Sequence, residues 1–300
     1  MNLKKLILII AISFSMSQDI IGEGLYGQEL IDFLTNNYKT SNVLSYNSAR
    51  DAMYGYIDND NGTLSCIYTE FSVDNVPNNN PRPYVHENGI NCEHLWPQSM
   101  GAENSPMKSD MHHLRPCKEN VNTSRGNKPY NESNDNLTHT WYWLEYELND
   151  PPNQNIDKYS ESASSLFEPR EEVKGDVARA MFYFYTMYKD VADDDFFEIQ
   201  KDVLYTWHQI DLINQSEINR TWHIADYQDY PNPFILDSSL IQRCYFEQDY
   251  IIGDVNQDLV INILDIIITM NYILNLIDLN EQQLELADMN QDGGINILDI

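Results

Sequence analysis

Positive charge is scarce in this 300-residue sequence. It contains 18 Lys and Arg residues against 47 Asp and Glu residues, which gives a formal net charge of -29 at pH 7. Such an acidic chain repels polyanions over most of its surface, so broad, nonspecific attraction to nucleic acid is excluded. A local exception runs from Lys108 to Lys128, where five basic residues stand against two acidic ones. Binding of a polyanion would therefore depend on a local patch of this kind.

Long hydrophobic runs are missing beyond the start of the chain. Lys4 and Lys5 precede an apolar run from Leu6 to Phe14, and Ser15 to Ser17 has the small-x-small pattern of a cleavage site. The apolar run is too short to span a bilayer. We therefore predict that residues 1–17 are a secretory signal peptide and that the mature protein has no membrane span. Its expected location is extracellular, periplasmic or on the cell surface.

Cysteine is also rare, although enough is present for disulfide bonds in an exported protein. The four cysteines are Cys66, Cys92, Cys117 and Cys244. They allow two disulfides in three pairings. We favour a bond between Cys92 and Cys117, because it would clamp the stretch of chain between them. The alternative is that the cysteines are free and buried.

The stretch from Asn91 to Asn127 concentrates the chemically reactive side chains. It reads NCEHLWPQS, then a polar loop, then SDMHHLRPCKENVNTSRGN, and it holds three of the seven histidines. Glu93 and the amide oxygen of Asn122 are hard ligands suited to Mg²⁺ or Ca²⁺. His94, uncharged near neutral pH, is a candidate to take a proton from water. Together these groups predict metal-assisted hydrolysis of a phosphate ester.

Other side chains of this stretch admit more than one interpretation. Arg115 and Arg125 are candidates to hold a phosphate group. One of His112 and His113 is expected to be a buried, hydrogen-bonded scaffold residue, and a metal ligand is the alternative. A zinc site is less favoured, because the spacing is not a tight zinc pattern and an exported protein tends to oxidise its thiols. That site would use Cys92, His94, His112 and Cys117.

The end of the chain contains an internal repeat. DVNQDLVINILDI, from Asp254, returns as DMNQDGGINILDI from Asp288, 34 residues later. Positions 1, 3, 5, 7, 9 and 12 of each repeat offer the oxygen ligands that Ca²⁺ prefers, position 7 through its backbone carbonyl. Two such loops at a fixed spacing predict up to two structural Ca²⁺ ions. The predicted ligands are Asp254, Asn256, Asp258, Val260, Asn262 and Asp265 in the first repeat and Asp288, Asn290, Asp292, Gly294, Asn296 and Asp299 in the second.

Several ordered pieces before this repeat resemble the bacterial endonuclease I family of secreted and periplasmic nucleases. They are NCEHLWPQS, SDMHHLRP, NVNTSRGNKPY, FEPREEVKGDVARAMFYFYT, WHQID, and EINR followed by NPFI. The resemblance implies an α+β fold over residues 18–249, with a ββα-metal (His-Me finger) core inside a mainly helical body. Periodicity independently predicts a helix from Glu171 to Lys189. It is weak from Glu217 to Ile235, where we expect an ordered closing loop.

The same resemblance implies roles for individual residues. Glu93 and Asn122 match the ligands of one catalytic Mg²⁺, for which Ca²⁺ or Mn²⁺ are substitutes, and His94 matches the general base. Arg125 matches an arginine in the motif around the second ligand, and we expect it to contact phosphate. Arg115 stands where family members vary, so it takes no role. The family cleaves DNA, and often RNA, with little sequence preference, and products with 5′-phosphates are implied.

The two C-terminal repeats resemble a type I dockerin. This resemblance implies a small α-helical, EF-hand-like calcium module over residues 250–300, with a cohesin-bearing scaffold or surface protein as its partner. The sequence ends one residue after Asp299, where the second helix should begin, so we expect the second repeat to be incomplete. The alternative is a calcium-stabilised appendage without a cohesin partner.

These patterns together predict a secreted, metal-dependent, nonspecific endonuclease that uses one metal ion and a histidine base. The main alternative is a scaffold-associated binding or adhesion protein with an inactive nuclease-like body. A carbohydrate-active enzyme is ranked last, because no convincing pair of catalytic carboxylates stands out among the acidic residues.

Overall fold

The computed structural model describes residues 20–42, 44–246, 251–258 and 260–300 of the chain. The predicted signal peptide, residues 1–17, lies outside these ranges. The chain forms two compact units, which divide after Tyr245. No helix in the described ranges is long and apolar enough to cross a membrane.

The first unit mixes α-helices with short antiparallel strands. Its α-helices are α1 (Gly27–Tyr38), α2 (Tyr46–Ala52), α3 (Arg82–Glu87), α4 (Glu119–Arg125), α5 (Lys174–Met187), α6 (Asp194–Glu198), α7 (Lys201–Ile210), α8 (Gln215–Gln228), α9 (Pro233–Leu236) and α10 (Leu240–Tyr245). Its strands are β1 (Asn59–Asp60), β2 (Thr63–Ser65), β3 (Ser72–Val73), β4 (Ile90–His94), β5 (Leu114–Lys118), β6 (Thr138–Trp143), β7 (Tyr146–Leu148), β8 (Ser160–Ala163) and β9 (Phe167–Glu168). The sheets have the strand orders β1-β2-β3, β4-β5 and β7-β6-β8-β9. This mixed content confirms the α+β class.

The strands β4 and β5 form an antiparallel hairpin that α4 follows directly along the chain. Glu93 lies opposite Arg115 in this hairpin, and His94 lies opposite Leu114. The side-chain amide of Asn122, on α4, donates a hydrogen bond to the backbone carbonyl of β4, which ties the helix to the strand. The local order is therefore strand, strand, helix, with the predicted base and ligands inside it.

The hairpin register separates the two cysteines that we expected to pair. Cys92 lies opposite Pro116, whereas Cys117 lies opposite Asn91. Because successive side chains alternate between the faces of a strand, Cys92 and Cys117 project from opposite faces. The disulfide favoured from the sequence is not formed, and all four cysteines are free. The Sγ atom of Cys117 lies instead 3.9 Å from that of Cys66, in the interior.

The helix α5 forms the core of the first unit, and its residues from Val177 to Met187 are all buried. It lies within the range predicted from helical periodicity. Trp96, which follows β4, stacks on Phe184 of this helix with ring centroids 4.8 Å apart. The same indole meets Phe196 edge-on at 5.3 Å. Such aromatic contacts add to the energy of burial, so they anchor the end of β4 on a buried helix.

The segment predicted as a closing loop is helical, so that prediction is wrong. Most of it forms α8, whose N-terminus is capped by Asn214. The side chain of Asn214 accepts a hydrogen bond from the Glu217 backbone N–H. The buried face of α8 is largely polar, which hides its helical period from a hydrophobicity pattern. The buried residues of this face are Glu217, Arg220, Thr221, Ile224 and Gln228.

The second unit contains α11 (Ile263–Ile273), α12 (Glu281–Ala287) and a short 3₁₀ turn, Ile297–Asp299. Val255, Leu286 and Ala287 are among its buried apolar residues. Large apolar side chains on α11 are exposed instead. They are Ile263, Leu264, Ile267 and Met270.

The polar anchor of α8 is expected to contribute strongly to stability. The Arg220 guanidinium forms two hydrogen bonds with Asp58, of 2.6 and 2.9 Å, and a third, of 2.8 Å, with the Leu114 carbonyl. An Arg220→Met substitution leaves these acceptors without their partner. We expect it to lower the free energy of unfolding by about 3–5 kcal/mol. Urea unfolding followed by tryptophan fluorescence measures this, because all five tryptophans lie before residue 245.

The matched control is Arg82→Met, which removes the more exposed pair between Arg82 and Asp51. We expect that change to cost less than about 1 kcal/mol. Equal losses in the two variants would contradict an anchoring role for Arg220.

Candidate active site

The carboxylate of Glu93 lies in the interior at the end of β4, where it is 2% exposed. One of its oxygens accepts a hydrogen bond of 2.8 Å from the Tyr68 hydroxyl and lies 3.2 Å from Nη1 of Arg125. Burial raises the pKa of Glu93 to about 7, against the lowering effects of Arg125 and the Tyr68 hydrogen bond. A second cation beside this carboxylate would favour its ionised form.

The imidazole of His94 is held in one orientation by the backbone. Its Nε2 lies 3.1 Å from the carbonyl oxygen of Lys108. A carbonyl only accepts hydrogen bonds, so we assign the proton of the neutral ring to Nε2. The Nδ1 atom is then an acceptor, and it faces the side-chain amide of Gln98 at 3.4 Å. The ring therefore presents an unprotonated nitrogen.

The environment of His94 also keeps the ring uncharged. The side chain is 6% exposed. Burial, and secondarily the neighbouring His113, lower the pKa of His94 to about 3. A neutral imidazole at neutral pH is the form that accepts a proton from water.

The side chain of Asn122 is oriented by the strand that carries Glu93. Its amide nitrogen donates to Oδ1 of Asn91 at 2.6 Å and to the carbonyl of Cys92 at 3.1 Å. These two contacts use both N–H groups, which leaves Oδ1 for another partner. The carboxylate of Glu93 and this amide oxygen are hard donors of the kind that Mg²⁺ binds while it keeps several waters. The donor atoms present are therefore of the types that Mg²⁺ takes.

The zinc alternative receives no support from the structure. Within the described ranges, no group of three or more His, Cys, Asp or Glu side chains is placed to hold a metal ion. The side chains of Cys92 and Cys117 project from opposite faces of the hairpin, so they do not share a site.

Arg125 is placed differently from the sequence expectation. Its side chain is fully buried, and it donates to the carbonyls of His94 and Leu95 at 3.0 and 2.6 Å. Its guanidinium also lies over the ring of Tyr130, 4.5 Å from the centroid. This position faces the interior, so contact with a phosphate is unsupported. The side chain instead fixes the end of β4.

Arg115 is also an interior residue. Its side chain lies 3.2 Å from Asp176 on α5, and the residue is 8% exposed. With Arg115 and Arg125 buried, the basic stretch from Lys108 to Lys128 is not a continuous positive surface. Its remaining exposed or half-buried cations are Lys108, Lys118 and Lys128.

Asp110 is a site residue that sequence reasoning missed. Its buried carboxylate accepts hydrogen bonds from the hydroxyls of Tyr183 and Tyr188, at 2.9 and 2.7 Å. It accepts two more from the Gln228 amide and the His112 backbone N–H, at 2.7 and 3.0 Å. Burial raises the pKa of Asp110, but the nearby histidines and these hydrogen bonds outweigh it and hold the pKa below the usual value.

The contacts of Asp110 fix the loop that orients the histidines. A 3₁₀ turn, Met107–Ser109, precedes it directly. The carbonyl of Met107 accepts from Nε2 of His113 at 2.7 Å, and that of Lys108 accepts from His94. The SDMHH motif marks this region in the sequence, but its letters do not show that the aspartate is buried among tyrosines.

The two C-terminal loops have the same hydrogen-bond pattern. Asp265 accepts backbone N–H groups of Asn256 and Asn262 at 3.0 and 2.8 Å. Asp299 accepts the equivalent groups of Asn290 and Asn296 at 3.2 and 2.8 Å.

The other predicted calcium ligands also make equivalent contacts in the two loops. Asp258 and Asp292 donate their backbone N–H groups to the first residues of the loops, Asp254 and Asp288, at 3.1 Å in both cases. The carbonyls of Val260 and Gly294 accept from the asparagine two residues later, at 3.0 and 3.1 Å. The asparagines at that position cap the helical turn that follows. The donor set is oxygen-rich in each loop and fits Ca²⁺.

Comparison with known proteins identifies the family. The model of the Endonuclease I family matches residues 26–239, and the chain belongs to this family. Its C-terminal part matches the Dockerin type I domain over residues 252–300.

Two curated relatives are described as extracellular ribonucleases. The protein from Bacillus subtilis (strain 168) is 31% identical over 164 residues, which cover 48% of this chain and 50% of the relative. The protein from Bacillus amyloliquefaciens is 31% identical over 163 residues, with the same coverage. The chain thus spans about half the length of the curated relatives it matches.

Buried histidines in this region make a pH-dependent contribution to stability. Burial lowers the pKa of His112 from 6.5 to about 4. Between pH 6.5 and pH 4 the unfolded state binds more protons at this histidine than the folded state does. The contribution of His112 to the free energy of unfolding is therefore complete above pH 6.5 and falls as the pH drops toward 4. The loss from this group is expected to approach about 3 kcal/mol. Urea unfolding at a series of pH values should show a shallower slope in His112→Gln.

The control is His223→Gln, which changes an exposed histidine on α8. It should keep the pH dependence of the wild-type protein. A wild-type slope in His112→Gln would show that His112 is not a source of this dependence.

Proposed function

We propose that the chain is an exported, metal-dependent nuclease that hydrolyses phosphodiester bonds in DNA and RNA. The observation that carries this proposal is the arrangement of His94, whose Nε2 is held by a carbonyl while Nδ1 is unprotonated and meets only the long 3.4 Å contact from the Gln98 amide, which an attacking water would replace. Membership of the Endonuclease I family supports the reaction type. The description of both relatives as extracellular ribonucleases supports export and RNA as one substrate.

In the proposed mechanism His94 takes a proton at Nδ1 from the water that attacks phosphorus. The carbonyl of Lys108 keeps the ring in the required tautomer and stabilises the imidazolium that forms. Glu93 and Oδ1 of Asn122 would hold one Mg²⁺, with Ca²⁺ or Mn²⁺ as substitutes. The ion would supply charge stabilisation at the phosphate and the leaving oxygen. Departure of the 3′ oxygen leaves products with 5′-phosphates.

Arg125 acts as a positioning residue in this proposal. Its guanidinium binds the carbonyl of His94 and pairs with the carboxylate of Glu93, so it links the base and the metal ligand. The strand β4, the strand β5 and the helix α4 would then be the ββα-metal core.

We also propose the domain limits and the role of the second unit. Residues 1–17 would be a signal peptide, residues 18–249 the nuclease domain and residues 250–300 a calcium module of EF-hand-like structure. The division after Tyr245 and the two family matches support these limits. The exposed apolar stripe of α11 favours docking to a cohesin-bearing scaffold or surface protein, because such a patch marks an interaction site.

The alternative of an inactive, adhesive nuclease-like body is weaker. A hydrolytic site needs a neutral, carbonyl-held His94 next to Glu93 and an oriented Asn122, whereas an adhesive body does not. These three features together favour turnover.

A nicking assay tests the proposed reaction. Full-length protein is incubated with supercoiled plasmid, and in parallel with single-stranded RNA, in the presence of Mg²⁺ or of EDTA. We expect cleavage that requires the metal. His94→Ala should lower the rate by about 10²–10⁴-fold, the usual contribution of a general base.

The control for this assay is His139→Ala, which removes an exposed histidine on β6 and should keep the wild-type rate. Absence of cleavage of both substrates by folded wild-type protein would refute the nuclease proposal. Full activity in His94→Ala would refute the assignment of the base.

Calcium binding is tested independently of activity. Isothermal titration of the full-length protein with Ca²⁺, in excess Mg²⁺ that occupies the proposed catalytic site, should give two bound Ca²⁺ ions, and Asp265→Ala should remove the first-loop ion, because position 12 closes the loop. Asp278→Ala, an exposed residue between the repeats, is the matched control and should keep both. Binding of two ions by Asp265→Ala would contradict the predicted ligand set.

A further inference from the structure

Arg50, on α2, differs from the other arginines of the described chain because it has no carboxylate partner. The others form ion pairs with Asp or Glu. Arg50 instead donates from Nη2 to the neutral amide oxygen of Asn47 at 2.7 Å. Its Nε atom is buried and makes no hydrogen bond within the described residues. An unpaired arginine is unexpected in a chain with 47 acidic residues.

The guanidinium of Arg50 is held next to an aromatic ring and a second cation. Tyr46 lies four residues earlier on the same helix face, and its ring centroid is 4.2 Å from Cζ of Arg50. The ammonium of Lys108 lies 5.5 Å from the same centroid. Lys108 also makes no ion pair within the described part of the chain. Cation–π contacts of this kind hold positive charges in place without neutralising them.

This cluster lies beside the proposed base. The rings of Tyr46 and His94 have centroids 5.4 Å apart. Lys108 contributes to both places, since its carbonyl holds the His94 ring while its ammonium lies near Tyr46. The positive charges are therefore fixed relative to the reacting group.

The composition of the chain makes such a cluster necessary for a nuclease. At a net charge of -29 the surface repels a polyanion, and binding depends on cations that are free to contact phosphate. Arg115 and Arg125 are buried and engaged with protein acceptors. Within the described residues Arg50 and Lys108 have no carboxylate partner, and both lie over the ring of Tyr46, which neighbours His94.

We propose that Arg50 and Lys108, held by the ring of Tyr46, bind the phosphate groups of the nucleic-acid strand next to the scissile bond. This inference rests on the proposed nuclease function and adds the substrate-binding residues to it. Phosphate contacts place the strand with respect to His94 and carry no sequence information. The subsite therefore agrees with cleavage of many sequences.

The test is a salt series of binding measurements on full-length protein that carries His94→Ala to prevent cleavage. Fluorescence anisotropy of a fluorescein-labelled single-stranded oligonucleotide gives Kd at several NaCl concentrations. The slope of log K against log salt reports the number of phosphate contacts. Arg50→Gln and Lys108→Gln should each weaken binding and reduce the magnitude of the slope by about 0.7. Lys108→Arg keeps the positive charge and should therefore keep both the affinity and the slope of the protein with Lys108.

The matched control is Lys189→Gln, which removes an exposed lysine that also lies over a tyrosine ring, 5.7 Å from the centroid of Tyr185. The slope of this control should equal that of the protein with His94→Ala alone. Unchanged slopes in Arg50→Gln and Lys108→Gln, with cleavage by wild-type protein intact, would overturn this inference alone. Absence of both binding and cleavage by the wild-type protein would refute the nuclease function together with this subsite.

Discussion

The buried carboxylate of Asp110 is the interaction on which the geometry of the site depends. It joins two tyrosines of the α5 region to a glutamine of α8 and to the loop before β5. A buried carboxylate is stable only when several donors satisfy it, and here helices distant in the sequence supply them. The loop so fixed carries the carbonyl that determines the tautomer of His94. The helical body thereby controls the chemistry of a ring on the hairpin.

A second interior network holds the side chain of Glu93, the proposed metal ligand, in place. Tyr68 and Arg125 contact the carboxylate of Glu93, Tyr130 contacts both of these residues, and Arg125 also binds the carbonyl of His94. Because Arg125 contacts both the carboxylate of Glu93 and the backbone carbonyl of His94, it links the ligand to the strand position that carries the base. The cations that we propose for substrate binding are a separate set, formed by Arg50 and Lys108 over the ring of Tyr46.

Parts of this arrangement were accessible from the sequence, because they depend on local spacing. The stretch that holds Glu93, His94 and Asn122 and the paired C-terminal loops are examples. The burial of individual side chains could not be predicted from the sequence. Because Arg125 is buried, it supports the interior and does not take the substrate contact that we expected for it. The helix α8 was missed because its buried face is polar. The neighbours of His94 from α2 were missed because they lie more than forty residues away in the chain.

The protonation of the His94 ring is the most direct test. Long-range ¹H–¹⁵N correlation spectra of the full-length protein, labelled with ¹⁵N-histidine and assigned with His94→Gln, report which ring nitrogen carries the proton. At neutral pH the structure predicts a neutral ring with its proton on Nε2 and an unprotonated Nδ1. A ring protonated at Nδ1, in either the neutral or the charged form, would contradict the role of His94 as the base held by the Lys108 carbonyl.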